Sequence, residues 1–191
     1  NMEELGKVDF IFITLKAYSI PGVVKEIAKM FDENTSVITA YNGIPWWYFF
    51  NTGGQFNNYR IKCIDPNNTQ WSLIPPERVI GSVVYPATEI IRPGVIKHME
   101  GNRFSLGEPS GVRSERISRI SKALISAGLK APIRNNIRQE IWTKLIGNLA
   151  FNPLSVITGE TLDVLLSKKE NKDIAYAVMK EASLIMEKLQ I

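Results

Sequence analysis

The chain has 191 residues, 45% of them hydrophobic and 22% charged, which excludes a disordered chain and predicts a packed core. Its formal net charge of +4 is mild and scattered, so it gives no support to a nucleic-acid groove. Cys63 and His98 are the only residues of their types, which argues against an internal disulfide, a Cys/His zinc site and a Ser-His-Asp triad, and fits a reducing cytoplasm.

No run of ~18 apolar residues is present, so no membrane span is expected. The first residues lack the charged-then-apolar order of a signal peptide. Almost no lead-in precedes the first strand, and the chain closes inside a helical pattern. Both ends are expected to be cuts in a longer protein.

Residues 8–15 (VDFIFITL) form a nearly continuous apolar run, as in a strand buried on both faces of a parallel sheet. From Pro21, Val24, Ile27, Ala28 and Phe31 recur at helical spacing until Asp32-Glu33-Asn34 ends the pattern. Residues 36–41 (SVITAY) read as the next strand, stopped by Asn42-Gly43. Together these make one βαβ crossover of ~30 residues, expected to be right-handed. The aromatic stretch 44–50 (IPWWYFF) reads as packing, with a substrate wall or dimer contact as the alternative. Residues 53–76 are polar and rich in turns, with 65–68 a predicted turn.

Strands are predicted at 79–85 and 95–99 around a Pro93-Gly94 turn, and a short one at 103–106. From Arg113 the period turns helical, and Gly128 is expected to close that helix. Residues 131–135 read as an extended link, followed by helices near 136–152, 160–168 and 171–191. The first 110 residues thus carry strands and residues 111–191 are largely helical, with a boundary expected at 107–111. Arg113, Arg116, Arg119 and Lys122 recur every three residues and read as a solvated face, with a phosphate-binding strip as the lesser reading. His98 reads as a surface or packing residue.

Two groups carry candidate chemistry. Lys16 follows the first strand and Asn42-Gly43 follows the second. Ligands of open α/β sheets bind outside the carboxyl ends of parallel strands. Lys16 offers a cation there, Asn42 an amide, and Gly43 a backbone free to approach a ligand; the plain alternative is ordinary strand-end chemistry. The second group is Lys144, Asn148 and Asn152, spaced four apart and therefore one stripe of a helix beside the apolar stripe Ile137, Ile141, Leu145, Leu149. Such a stripe suggests a polar pocket. The alternative pairs Lys144 with Glu140 and leaves the asparagines as capping or packing residues. Pro153 is expected to bend or stop this helix at Asn152.

The string WTKLIGNLAFNP resembles the W-x-K-L-x-x-N-x-x-x-N-P signature of ketopantoate reductases (2-dehydropantoate 2-reductases). Thr14-Leu15-Lys16-Ala17 and Tyr41-Asn42-Gly43 resemble that family's V-K-A and Q-N-G elements. Val79-Ile80-Gly81 through Pro93-Gly94 and Leu106-Gly107-Glu108 also follow its order. Tyr41 stands where glutamine is usual, and IPWWYFF marks a divergent subgroup.

The resemblance implies an α/β fold: a truncated Rossmann-type nucleotide-binding domain (1–110), then a partial helical substrate or dimerisation domain (111–191) like that of 6-phosphogluconate dehydrogenase. It implies Lys144 as the catalytic lysine and Asn148 and Asn152 as substrate-binding. Asn42 would lie between nicotinamide and substrate, with Lys16 and Gly43 on the cofactor side. NADP would be the cofactor and a 2-keto acid, foremost ketopantoate, the substrate of a cytoplasmic enzyme, with a homodimer in prospect. A related 2-hydroxy acid dehydrogenase and a non-catalytic binding module stand as alternatives. The family's glycine loop, and a serine and glutamate further along, have no counterpart in these residues, so this stretch alone is expected neither to bind NADP tightly nor to turn over.

Overall fold

In the computed structural model, which describes residues 2–191, the first apolar run forms β1 (Phe10–Ile13). A turn of 3-10 helix (Ala17–Gly22) takes in Pro21, and α1 (Val24–Lys29) follows, burying Val24 and Ile27. Strand β2 (Ser36–Thr39) is buried at every position. The polar stretch after it contains α2 (Thr69–Leu73), a helix the sequence reading does not separate from its surroundings. Next come β3 (Val79–Val84), β4 (Ala87–Arg92), β5 (Val95–Glu100) and β6 (Phe104–Gly107). Helices α3 (Glu115–Ser126), α4 (Ile137–Thr158), α5 (Leu162–Ser167) and α6 (Lys169–Lys188) complete the chain.

The main sheet has the order β1-β2-β3-β6. Its first three strands are parallel, with Ile13 opposite Thr39 and Thr39 opposite Gly81, and β6 runs antiparallel to β3. This parallel core is the Rossmann-like part of the expected fold. The Pro93-Gly94 turn joins β4 to β5 in a hairpin of its own, so the strand preceding that turn is 87–92 and not 79–85. Glu89 and Arg92 hide β4 from a reading by hydrophobicity, because the strand has no buried face.

Alternate residues divide the main sheet's two faces. On one face Ile38, Ala40, Ile80 and Leu106 pack against Ile117 and Ile120 of α3. On the other, Gly81 and Gly107 lie opposite one another. A Cβ at Gly81 would stand 2.8 Å from the Trp47 ring, and one at Gly107 would stand 2.6 Å from Ile137. Bare backbone is what lets Trp47 and Ile137 seat here. The Trp47 indole Nε1 also donates to Thr39 Oγ1 at 3.1 Å, so part of the aromatic stretch is core.

The chain divides into two compact units, Asn1–Ile137 and Arg138–Ile191. The sequence changes from strand-bearing to helical near residue 110, but α3 belongs by packing to the sheet. A buried corner holds it there. Arg116 grips the Glu108 carboxylate with two bonds (2.8 and 2.5 Å) and donates to the Glu77 carbonyl at 2.6 Å. Ser114 donates to the same carboxylate at 2.5 Å, and its oxygen caps α3 by accepting from Ile117 N.

In the second unit α4 does not stop at Asn152; it runs through Pro153 to Thr158. A proline inside a helix forfeits one backbone bond. Here Ala150 and Leu154, on either side of it, belong to one buried cluster with Leu165 and Ala175.

Candidate functional site

In the first unit, β1 and β2 end in register and each site residue follows at the same interval. Lys16 lies three residues beyond Ile13, and Asn42 three beyond Thr39, its register partner. Both therefore emerge at the carboxyl end of the parallel sheet, where this architecture binds ligands. Both are exposed. The Lys16 carbonyl accepts from Ser19 N at 2.8 Å, starting the 3-10 turn and fixing the chain's exit from the strand. Gly43 has φ +95°, and no atom lies within 4 Å of where a Cβ would stand. That open, left-handed position leaves backbone accessible to a ligand.

Tyr41, just before Asn42, has its hydroxyl pKa pushed above the ordinary phenol range, first by burial and then by the Asp65 carboxylate. Asp65 is itself buried and accepts from Gln70 N (2.8 Å) and Trp71 N (2.9 Å), capping the first turn of α2. Sequence reasoning takes 65–68 only as a turn. The signal available was an Asp-Pro pair just ahead of the short segment 69–73 (TQWSL).

In the second unit, Lys144, Asn148 and Asn152 lie along one stripe of α4. Lys144 and Asn148 are half-buried and Asn152 is exposed. Burial lowers the Lys144 pKa from the usual lysine value of 10.5. Desolvation disfavours the ammonium and makes it a readier proton donor than a surface lysine.

The other sequence candidates find structural employment or none. Arg116 is held by Glu108, and Arg119 lies 3.3 Å from Asp9, so two members of the basic row are engaged within the fold. His98 is exposed and bonded to the Gly101 carbonyl. Cys63 is exposed. Among the described residues no cluster of His, Cys, Asp or Glu is arranged to hold a metal ion, and no helix is long and apolar enough to cross a membrane.

The family model for ketopantoate reductase PanE/ApbA matches residues 1–111, and the model for that family's C-terminal part matches 136–191. The chain belongs to the ketopantoate reductase family. It is 48% identical over 189 residues to a 2-dehydropantoate 2-reductase of Mesorhizobium japonicum, an alignment covering 99% of this chain and 58% of that protein. The chain therefore spans less than two thirds of the length of that relative. A solved ketopantoate-reductase-type protein of Ralstonia solanacearum MolK2 superposes with a TM-score of 0.92 at 36% identity, over 97% of this chain and 57% of the other. A dimeric ketopantoate reductase of Staphylococcus aureus shares the fold alone, with a TM-score of 0.68 at 18% identity, over 97% of this chain and 65% of the other. Ketopantoate reductases are oxidoreductases that use NADPH, and the sheet end of this chain fits such a group: an open left-handed glycine, a cation and an amide just beyond the ends of adjacent parallel strands.

Proposed function

We propose that this chain provides the substrate-facing and nicotinamide-facing parts of an enzyme that reduces a 2-keto acid with NADPH, ketopantoate being the substrate its relatives' names favour. Lys144 carries the reading: a half-buried lysine with a lowered pKa, heading a stripe with Asn148 and Asn152. Lys16, Asn42 and Gly43 would hold the cofactor, with Asn42 also reaching the substrate. NADPH, when bound, supplies the hydride.

As the keto carbon is reduced, negative charge develops on its oxygen. The Lys144 ammonium stabilises that charge by a hydrogen bond and then passes its proton to the oxygen, giving the hydroxy acid and a neutral amine that solvent reprotonates. Such general-acid and electrostatic help is worth ~10²–10⁴-fold. Asn148 and Asn152 donate amide protons to the carboxylate and accept from hydroxyl groups, orienting the substrate without adding charge. A homodimer, as in the S. aureus relative, and a cytoplasmic setting belong to the same reading; the single Cys63 suits a reducing compartment.

The test is Lys144→Ala in the complete protein. Turnover of ketopantoate is expected to fall by ~10²-fold or more while NADPH affinity by fluorescence titration stays within about twofold. Near wild-type turnover would remove Lys144 from the chemistry.

A further inference from the structure

We infer that Ile137, seated on the glycine pair of the sheet, is a positioning residue for Lys144; the inference rests on the enzymatic reading above and deepens it. Boundaries between compact units usually fall in exposed, flexible linkers. Here the boundary falls between Ile137 and Arg138, inside the first turn of α4. The chain leading into it is tied down. Residues 130–134 run beside β6: Phe104 N donates to the Lys130 carbonyl (2.7 Å), Leu106 N to the Pro132 carbonyl (2.9 Å) and Arg134 N to the Leu106 carbonyl (2.7 Å). The pairing is parallel, Arg103 with Lys130 and Leu106 with Ile133. The Asn135 carbonyl then passes so close to Gly111 that a Cβ there would stand 2.7 Å from it.

Ile137 completes the anchorage. Its side chain is 1% exposed. A Cβ at Gly107 would stand 2.6 Å from its Cβ, and one at Gly81 would stand 2.9 Å from its Cγ1. A β-branched side chain on a helix has one strongly preferred rotamer, so pressing it onto bare backbone leaves the first residue of α4 little freedom. Lys144 stands seven residues further along the same helix, about two turns or ~10 Å. Within one helix that spacing is rigid, so whatever fixes Ile137 fixes the origin from which Lys144 is carried. A shift of ~1 Å at a reacting group can cost ~10²-fold in rate. A residue that touches no substrate can therefore govern kcat through the helix.

Steady-state kinetics on the complete protein test this with Ile137→Ala and, as a control, Ile117→Ala, an equally buried isoleucine of α3 on the sheet's other face. Ile137→Ala is expected to lower kcat for ketopantoate at least ~10-fold, with NADPH affinity by fluorescence titration within about twofold of the parent. Ile117→Ala should lose as much Tm and keep its kcat per folded enzyme. Ile137→Val, which keeps the Cβ and Cγ1 that meet the glycines, should hold kcat within about twofold. If Ile137→Ala does not fold, Ile137→Leu, which conserves volume but moves the branch away from Cβ, takes its place with a fall of at least ~3-fold. An unchanged kcat, an equal fall in Ile117→Ala, a valine variant no better than alanine, or a matching loss of NADPH affinity overturns the anchor. Lys144→Ala, run alongside, separates the two readings. If it too turns over normally, the enzymatic reading falls as well; if it is inactive while Ile137→Ala is not impaired, only the anchor falls.

Discussion

Lys144 and Asn42 show how far a residue's neighbours decide its chemistry. A lysine on a helix is usually a solvated charge, and the spacing of Lys144 from Glu140 invites that view. Its lowered pKa comes from burial, which disfavours the ammonium. Since the ammonium is the proposed acid, ketone reduction should decline as pH rises through the lowered Lys144 pKa, at a lower pH than an ordinary lysine would give. A kcat–pH profile checks this, and Lys144→Arg should flatten the alkaline limb because a guanidinium stays charged. Retention of that limb in the arginine variant would assign it to another group. At the sheet end, Asn42→Ala should raise KM for both NADPH and ketopantoate, since the one amide is assigned to both; an effect confined to one ligand would limit its role to that ligand.

At the scale of elements, the glycine pair Gly81–Gly107 sets how closely Trp47 and Ile137 approach the sheet. Gly81→Ala forces a methyl within 2.8 Å of the Trp47 ring, and such overpacking costs ~1–3 kcal/mol. Thermal denaturation should show a lowered Tm, and a variant as stable as the parent would mean that Trp47 can shift at little cost. The same elements show what the sequence makes legible. β2 stands out because burial on both faces leaves a continuous apolar run; β1 carries such a run too, although Phe12 on one of its faces is 38% exposed. Lys16 and Asn42 stand out because a polar residue interrupts that run where the sheet ends. β4 does not, because nothing buries it. α2 does not, because its first turn is satisfied by Asp65 rather than by a residue beside it. The passage of α4 through Pro153 goes with burial of Ala150 and Leu154 in one cluster with Leu165 and Ala175, partners that local propensity cannot see.

For the whole molecule, the two units differ in what holds them. The first has a four-stranded sheet covered on one face by α3, with the Glu108–Arg116 corner tying β3, β6 and α3 together. The second has a small cluster around Ala150, Leu154, Leu165 and Ala175, and it leaves Val156, Ile157 and Tyr176 largely in solvent. Amide hydrogen exchange should therefore be slowest in β2 and β3 and faster in α5 and α6, because exchange through local opening follows the density of buried contacts. Equal protection in the two units would show that they open together. Arg116→Met should destabilise the first unit by about 3 kcal/mol, the low end for a broken buried pair because Arg116 is 30% exposed; chemical denaturation measures it.

The open glycine after Asn42 also sets a clock. An asparagine followed by glycine loses ammonia when the glycine nitrogen reaches the side-chain carbonyl, and at position 43 no Cβ stands in the way. Ageing at mildly alkaline pH should therefore turn the neutral amide at the sheet end into a carboxylate. The aged protein would focus at a more acidic point and, on the proposed reading, bind an anionic cofactor less well, so the shelf life of the protein would be written in the dipeptide proposed to serve its ligand.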